Sequence, residues 1–460
     1  GKHWRCSGWV LRWNSQPSGF LVANFPPLPL VGRALALLGL LLAGLAPAWA
    51  QSGQGPSVTL GACLHILGLG GVGAVFVGRA IARSNEAKEF GVKMAQPLYQ
   101  FTDIVKKHDI QVLSGNFHLY TDMSNRVMQV LGDTAPVAQQ YSIDECFLDI
   151  TGIANDLDEF GQSVRAKVKQ WTGIPVGIGI AETKTLAKVA NRIAKTSEKS
   201  RGVVNLVGSQ WRKKALEITE VGDVWGIGKQ FTKKLNRNGV KTALDLTNQP
   251  DGWIRKEMGV GGLRTVRELR DEDCIGFESI PKPKQTTLVS RSFGKTVTEL
   301  DDLINAVSVF ATTAALDIRN ANLVSSAISV FIETNRFSNG PQYAPSQAVE
   351  LSPATNNTKH IVRAALQGLK EIYRKGFKFK KAGVMLLDLV DADHAPQSLF
   401  DQHDPKDDKL IEAFDQINRQ QGPGVINFGA AGQASDWHSA SAHKSPRYTT
   451  EWDAIPAVKT

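Results

Sequence analysis

The sequence predicts an α+β protein with several domains. Its 460 residues exceed the usual size of one domain, and 42% hydrophobic with 21% charged residues is typical of globular chains. Helical periodicity in residues 183–195 and a β-α-β-β-α-β order in residues 285–390 indicate that both kinds of element are present. The composition excludes collagen, wholesale disorder and a polytopic membrane protein.

Residues 1–78 differ from the rest of the chain, because no Asp or Glu precedes Glu86. Arg33, an apolar run and Ala48-Trp49-Ala50 are typical of a secretory signal, but this pattern begins well inside the chain. Gly68, Gly70 and Gly73 form a G-x-G-x-x-G pattern without a clean preceding strand or the acidic residue that dinucleotide sites carry. We interpret residues 1–78 as a flexible apolar leader, with export through 33–50 and dinucleotide binding as the alternatives.

From residue 79 the chain has the pattern of a mixed α/β protein. Residues 162–171 place Val164, Val168 and Trp171 on one helical face, and residues 174–181 predict a short buried strand. Residues 183–195 predict a helix with an apolar stripe opposite a cationic one, which is formed by Lys184, Lys188, Arg192 and Lys195. Four cations without an interleaved acid indicate an anionic partner, although a solvated helix face is the alternative.

Two further modules follow in the chain. Residues 221–239 predict a helix-hairpin-helix whose turn, Gly226-Ile227-Gly228, would bring backbone N–H groups to a DNA phosphate, with Lys229 beside it. A plain connecting turn is the alternative. In the β-α-β-β-α-β unit, cations alternate with aromatic rings over 374–381, as on surfaces that follow a nucleic-acid backbone or on a lysine-protected strand edge.

Overall charge and cysteine usage narrow the class of partner. Lys+Arg 53 against Asp+Glu 44 gives a net charge of +9, which favours an acidic partner such as nucleic acid. The four cysteines lie far apart without a C-x-x-C spacing, which argues against a zinc site and a disulfide framework; they are Cys6, Cys63, Cys146 and Cys274. A reducing compartment fits this pattern best.

Asp144 and Glu145 are adjacent carboxylates inside an apolar, strand-like segment, residues 141–149. Neighbouring side chains on a strand point to opposite faces, so both can serve one site only at a strand end or hairpin. Such a pair beside a cationic stripe could hold a magnesium–nucleotide complex, because Mg²⁺ prefers a few carboxylates together with substrate phosphates. A surface turn is the alternative.

Several segments together resemble a Y-family DNA polymerase, in particular the UmuC-type catalytic subunit of DNA polymerase V. The resemblance extends in order from about Arg79 to Thr450. The segments that carry it are Tyr141–Gly152, Val176–Lys195, Val221–Thr242, Ser290–Gly294, Lys381–Leu386 and Ser445–Thr450.

The resemblance implies a right-hand polymerase with fingers, palm, thumb and little finger, which acts in error-prone lesion bypass during the SOS response. The expected parts are the leader 1–78, fingers and palm 79–207, helix-hairpin-helix thumb 208–280, little finger 285–395 and tail 396–460. It further implies primer–template DNA and deoxynucleoside triphosphates as substrates, and a cytoplasmic, nucleoid-associated location. The implied protein partners are a processed UmuD dimer, RecA and the sliding clamp, the last through Gln397, Leu399 and Phe400.

The resemblance also assigns roles to residues. Asp144 and Glu145 match the family's metal-binding acids, with Asp144 bridging two Mg²⁺ ions and Glu145 holding the one that activates the primer 3′-hydroxyl. Lys88 and Lys195 match cations that bind the triphosphate. Gly226, Gly228 and Lys229 match the thumb turn that grips the DNA backbone.

This chain departs from the family at its start, where the family has a palm strand with an aspartate and then an aromatic steric gate. No carboxylate precedes Glu86, so the first palm strand looks replaced by foreign sequence within residues 1–78. Loss of one of three metal-binding carboxylates is expected to cost roughly three or more orders of magnitude in rate. It is also expected to leave an unpaired edge in the palm sheet, unless the apolar segment 64–78 substitutes for the strand.

Two functions therefore remain for the chain. One is an error-prone translesion polymerase subunit with impaired activity. The other is a catalytically inactive remnant that binds damaged DNA and the clamp.

Overall fold

The structure is a computed structural model that describes residues 72–76, 79–277, 283–395, 405–422, 424–432 and 443–455. The signal-like segment 33–50, Gly68 and Gly70 of the glycine motif, and the clamp-binding peptide 396–400 lie outside the described residues. No helix within the described ranges has the length and apolar character needed to cross a membrane.

The first described elements form a three-stranded sheet flanked by two short helices. Its strands are β1 (Val72–Phe76), β2 (Arg79–Arg83) and β3 (Gln111–Ser114), in the order β2-β1-β3. Strand β1 pairs antiparallel with β2 and parallel with β3. The helices are α1 (Asn85–Glu89), which begins at a Ser84 cap, and α2 (Thr102–Lys107).

Two separate two-stranded sheets follow. Strand β4 (Val137–Gln140) pairs antiparallel with β5 (Cys146–Asp149), and β6 (Ile178–Ile180) pairs parallel with β7 (Val203–Asn205). Three amphipathic helices accompany these strands: α3 (Phe117–Gly132), α4 (Leu157–Thr172) and α5 (Lys184–Thr196).

The predicted helices in this region are present, with one error in a predicted face. Helix α5 begins at a Thr183 cap, and its apolar stripe, including Leu186 and Val189, is buried as predicted. Val164 and Val168 of α4 are buried, but Trp171 is 62% exposed and lies under the ammonium group of Lys167. Trp171 is in the last turn of α4.

A helical region comes next: α6 (Arg212–Ile218), α7 (Lys229–Arg237), α8 (Ala243–Thr247) and α9 (Asp251–Leu269). Its apolar residues share one core with the buried stripe of α5, so this region packs directly on the helix that follows β6.

The C-terminal domain has the predicted β-α-β-β-α-β order. Its elements are β8 (Thr287–Val297), α10 (Leu300–Asn320), β9 (Leu323–Thr334), β10 (Ser346–Thr355), α11 (Thr358–Ile372) and β11 (Phe379–Asp391). The four strands form an antiparallel sheet in the order β10-β9-β11-β8, with α10 and α11 packed against it. A further helix, α12 (Pro405–Gln421), follows this domain.

Candidate functional site

The adjacent carboxylates Asp144 and Glu145 lie in the tight turn that joins β4 to β5. The backbone N–H groups of Tyr141 and Ser142 donate to the Glu145 carbonyl oxygen at 3.0 and 3.2 Å, which closes the turn. Strand β5 begins only at Cys146. Because the pair is in a hairpin rather than inside a strand, the condition for both carboxylates to serve one site is met.

Each carboxylate is held differently. Asp144 is exposed and accepts a hydrogen bond from the Ser142 hydroxyl at 2.5 Å. Glu145 is half-buried and accepts from Lys188 Nζ at 2.5 Å. The Ser124 hydroxyl of α3 donates to the Ile143 carbonyl at 2.5 Å and so fixes the turn on the helix behind it.

This donor set fits one kind of metal ion. Two carboxylates suit a hard divalent cation that keeps waters and gains phosphate oxygens from a substrate, as Mg²⁺ does. They do not form a closed cage, since the described part of the chain contains no group of three or more His, Cys, Asp or Glu placed to hold a metal.

Beside the pair is a cavity of about 200 Å³, lined by β5, β6 and parts of α3, α4 and α5. Lys195 of α5 also lines it, and the Lys195 side chain lies over Gly177, where an added Cβ would come within 2.9 Å of Lys195 Cγ. The structure therefore brings Asp144, Glu145 and Lys195 to one cavity. Burial raises the pKa of the Cys146 thiol, which also lines the cavity, so this thiol stays neutral at neutral pH.

Lys88 is not among the residues that line this cavity. It lies exposed on α1 and donates to Asn85 Oδ1 at 3.0 Å. Its pKa is lowered, first by partial burial and then by the nearby Arg83 guanidinium. Lys88 on α1 and Arg83 on β2 thus form a pair of cations apart from the residues that line the cavity.

The cavity is bordered by two strand edges that have no partner among the described residues. The Tyr141 N–H donates to the Glu145 carbonyl, and hydrogen-bonded pairs alternate with non-hydrogen-bonded pairs in an antiparallel ladder. The backbone groups of Phe147 therefore point toward β4, and those of Cys146 and Leu148 point away from β4. On β6, Ile178 bonds to Gly202 and Ile180 to Leu206, which leaves Gly179 facing away from β7. Within the described ranges, β5 pairs only with β4 and β6 only with β7.

The unpaired edge expected from the sequence stays a prediction, although β5 and β6 have no partner on this side among the described residues. Part of the segment considered as a substitute strand is described, and residues 72–76 pair with β2 and β3 instead of β5 or β6. Residues 64–71 lie outside the described residues.

The cationic stripe of α5 does not present four cations to a partner. Lys184 is 7% exposed, donates to Gln139 Oε1 at 2.5 Å and to the Gly276 carbonyl at 2.9 Å, and lies over an aromatic ring. Lys188 pairs with Glu145, and Arg192 pairs with Asp223. The prediction was wrong for these three because their partners are distant in sequence, and Lys195 is the member without an ion pair in the described structure.

The glycine turn has the geometry predicted for it. Gly226 has a φ of +85°, which favours glycine, and Gly228 caps α7 without a side-chain hydrogen bond. Both glycines and Lys229 are exposed, whereas Ile227 is buried and anchors the turn in the core. The first backbone N–H groups of α7 are thus available to an anion.

Three aromatic side chains join the acidic turn to the glycine turn, which the sequence interpretation missed. Trp225 Nε1 donates to the Tyr141 hydroxyl at 2.9 Å, and the Phe147 ring lies 5.6 Å from that of Trp225. The available signal was that Tyr141 directly precedes the acidic turn and Trp225 directly precedes Gly226. Hence contacts between these rings link the acidic turn to the glycine turn.

A buried carboxylate joins helix α5 to the helical region that contains the glycine turn. Glu268 of α9 is fully buried and accepts from the backbone N–H and hydroxyl of Thr185 at 2.9 and 2.8 Å. It also accepts from the backbone N–H of Ile275 at 2.8 Å. One side chain thereby ties the start of α5 to the helical region.

The cation and aromatic alternation at 374–381 has a structural role. Phe379 is fully buried in the core of the C-terminal domain, and Lys380 Nζ donates to the Phe293 carbonyl at 2.5 Å. Strand β11 lies between β9 and β8, so it is not a sheet edge. The interpretation as a protected edge was wrong, because strand order is not encoded locally. The interpretation as a surface that follows a nucleic-acid backbone stays a prediction, since Arg374, Lys375 and Lys378 are exposed.

Comparison with known proteins gives matches along most of the chain. The impB/mucB/samB family matches residues 67–192, its C-terminal domain matches residues 284–399, and a domain of unknown function (DUF4113) matches residues 408–458. Protein UmuC of Salmonella typhimurium is 40% identical over 388 residues, which cover 83% of this chain and 92% of that protein. Protein MucB of Escherichia coli is 41% identical over 384 residues, 82% of this chain and 91% of that protein.

More distant relatives share the fold. DNA polymerase IV of Brucella melitensis is 26% identical over 352 residues, with 75% of each chain covered. A solved Y-family DNA polymerase chimera of Dbh and Dpo4 matches with a TM-score of 0.56 and 18% identity, over 70% of this chain and 91% of the other. That structural likeness concerns the fold alone.

Proposed function

The chain belongs to the impB/mucB/samB family of UmuC-type, Y-family DNA-directed DNA polymerases, and from this membership we propose a translesion polymerase subunit with impaired nucleotide addition. The observation that supports the proposal best is the meeting of Asp144, Glu145 and Lys195 at one cavity. Carboxylates beside a lysine without an ion pair suit the binding of a metal–triphosphate complex.

Polymerases of this family depend on divalent cations, and we propose Mg²⁺ for this chain. Asp144 and Glu145 would hold the ion, which when bound supplies a Lewis acid at the reacting phosphate. Lys195 would attract the triphosphate from the cavity wall, and Lys88 would do so from α1. Lys188 orients Glu145 and must yield part of its contact when a cation binds there.

Primer–template DNA would be held mainly by the glycine turn. The exposed backbone of Gly226 and Gly228 allows close approach to a phosphate, and Lys229 adds a positive charge. Because Trp225 joins this turn to the acidic turn through Tyr141, a phosphate bound at the glycines would be kept at a fixed distance from the carboxylates.

Further properties follow from family membership as proposals. A processed UmuD dimer, RecA and the sliding clamp would be the protein partners, with Gln397, Leu399 and Phe400 as clamp contacts. The place of action would be the cytoplasm, at the nucleoid.

The test is primer extension by the purified chain on a template with one abasic site, with Mg²⁺ and the accessory proteins supplied. We expect weak extension that is lost in Asp144→Ala. Asp149→Asn is the matched control, because this carboxylate is at the far end of β5 and bonds to the backbone of Thr151. Extension that persists in Asp144→Ala would overturn the assigned site.

A second function is favoured by the two strand edges at the cavity that lack a partner in the described part of the chain. A palm without its central strand and with two carboxylates would bind primer ends without copying them. The same preparation distinguishes the two functions. Salt-sensitive binding of primer–template DNA with no Mg²⁺-dependent extension would establish the inactive, DNA-binding form.

A further inference from the structure

The segment Ser445–Tyr448 near the C-terminus lies against the part of the chain from β1 to β7, here called the N-terminal lobe. Its partner Asn116 is 329 residues earlier in the sequence. The Ser114 N–H at the end of β3 donates to the His443 carbonyl at 2.7 Å, and Ser114 and Lys444 form a parallel β-bridge. The tail thus adds one step of strand pairing to the end of β3.

Asn116 makes the most specific contacts of this docking. Its Nδ2 donates to the Ser445 carbonyl at 2.9 Å, to the Ser445 hydroxyl at 3.2 Å and to the Pro446 carbonyl at 3.4 Å. Asn116 is 1% exposed and Ser445 is 6% exposed. The amide oxygen of Asn116 accepts from Leu119 N–H and caps α3, so one side chain serves both the helix and the tail.

Tyr448 completes the contact with an apolar ring. It packs on the cluster that contains Leu119, Met123 and Val127 of α3. By contrast Trp452, four residues farther on, is 87% exposed. The docked part of the tail is therefore short and defined.

The other end of the same C-terminal region is fixed to the β-α-β-β-α-β domain. Asp415 of α12 pairs with Arg319 of α10 through two hydrogen bonds of 2.8 Å, and both side chains are 14% exposed. Ile411 of α12 is buried, and the turn Gly429–Ala431 lies against α10. Residues 405–432 therefore belong to this domain by their packing.

We propose that the described parts of the C-terminal region, residues 405–422, 424–432 and 443–455, act together as an intramolecular tie. The site formed by the end of β3 and the first turn of α3 binds the chain's own Ser445–Tyr448 segment, while α12 stays on the C-terminal domain. The tie restrains that domain relative to the N-terminal lobe, in addition to the chain connection before β8. This assigns a role to the region matched by the domain of unknown function.

The strength of such a tie rests on effective concentration. Asn116 and Ser445 are 329 residues apart, so their contact must offset the entropy lost when a long loop is closed. A few hydrogen bonds and the Tyr448 ring can do this only when the Ser445–Tyr448 segment is already held nearby. Docking of α12 provides that proximity. The tail site therefore needs only modest affinity of its own, because α12 keeps the tail at a high local concentration.

The test uses hydrogen exchange on the full chain with Asn116→Asp. The aspartate keeps an oxygen to cap α3 but places a carboxylate against the carbonyls of Ser445 and Pro446. We expect the Ser114 amide to exchange at least tenfold faster, with the interior of α3 unchanged. Tyr448→Ser makes the same break from the tail side, and Trp452→Ala is the matched control with wild-type exchange.

Restraint of the domain is tested by the distance between spin labels at positions 106 and 337, both introduced as cysteines in a chain lacking its native cysteines. Position 106 is on α2, and Phe337 is 79% exposed in the loop after β9. We expect the distance distribution to become at least twice as broad in either tail-releasing variant. Unchanged Ser114 exchange would overturn the docking site, and faster exchange with an unchanged distribution would overturn the tie.

Discussion

Removal of the Lys188 side-chain charge should strengthen the binding of a divalent cation at the acidic turn. Lys188 Nζ is 2.5 Å from Glu145 Oε1, so a cation that uses Glu145 competes with this ammonium group. The same ammonium also repels a second positive charge that approaches Asp144. In Lys188→Gln both penalties disappear.

The magnitude follows from the burial of the pair. The Lys188 and Glu145 side chains are 23% and 30% exposed, which places the pair between the solvent-screened and the buried case. A contribution of about 1–2 kcal/mol is appropriate for such a pair. At 25 °C this corresponds to roughly 5- to 30-fold tighter binding.

The assay is titration of the full chain with Mn²⁺, with the free ion measured by electron paramagnetic resonance. Lys195→Gln is the matched control, because Lys195 lines the same cavity without an ion pair and its removal should tighten binding less. Asp144→Asn should weaken binding. If Lys188→Gln binds Mn²⁺ no more tightly than the wild type, Glu145 is not a ligand and the assignment of the site is wrong.

Three further perturbations probe other parts of the molecule. Lys229→Ala should lower the slope of log affinity for primer–template DNA against log salt by about 0.9. Lys234→Ala should change this slope less, because the Lys234 ammonium group pairs with an acid. Equal slopes for the two variants would argue against the glycine turn as a phosphate site. Glu268→Gln should lower the free energy of unfolding in urea by about 1–3 kcal/mol, because Glu268 is buried and accepts hydrogen bonds from Thr185 and Ile275. The control Glu272→Gln changes an exposed residue and should leave this free energy unchanged. Equal stability of the two variants would contradict the role of Glu268 in tying α5 to the helical region. Hydrogen bonds from two backbone N–H groups lower the pKa of Asp245. The stabilisation by the Asp245 carboxylate is therefore present above about pH 4 and is lost as pH falls through the lowered pKa. The melting-temperature deficit of Asp245→Asn should shrink as pH falls through this range, and a deficit that stays constant with pH would refute this.

Local patterns predicted the elements whose partners are close in sequence. The stripe of α5 and the β-α-β-β-α-β order were predicted correctly because periodicity determines which face is buried. The acidic turn was recognised because two adjacent carboxylates in an apolar segment are unusual. In each case the information lay within a few residues.

The errors arose where a partner lies far along the chain. Lys184 bonds to Gly276 across 92 residues, and Phe379 is buried because β11 lies inside a sheet built from three other strands. Neither fact follows from spacing or charge. The docking of Ser445 on Asn116 has the same character, since both residues look unremarkable in the sequence.

The split sheet connects the fold to the proposed loss of activity. The acidic turn is held by Ser124 from α3 and by Lys188 from α5, so its shape does not depend on a strand between β5 and β6. The same holds for the glycine turn, which is fixed by Ile227 and by Trp225. On the proposed function, a chain whose β5 and β6 edges lack partners within the described residues can retain both turns, and with them the proposed DNA binding, while the proposed chemistry, which needs a further carboxylate, declines. We therefore expect DNA affinity and nucleotide addition to be separable in this molecule.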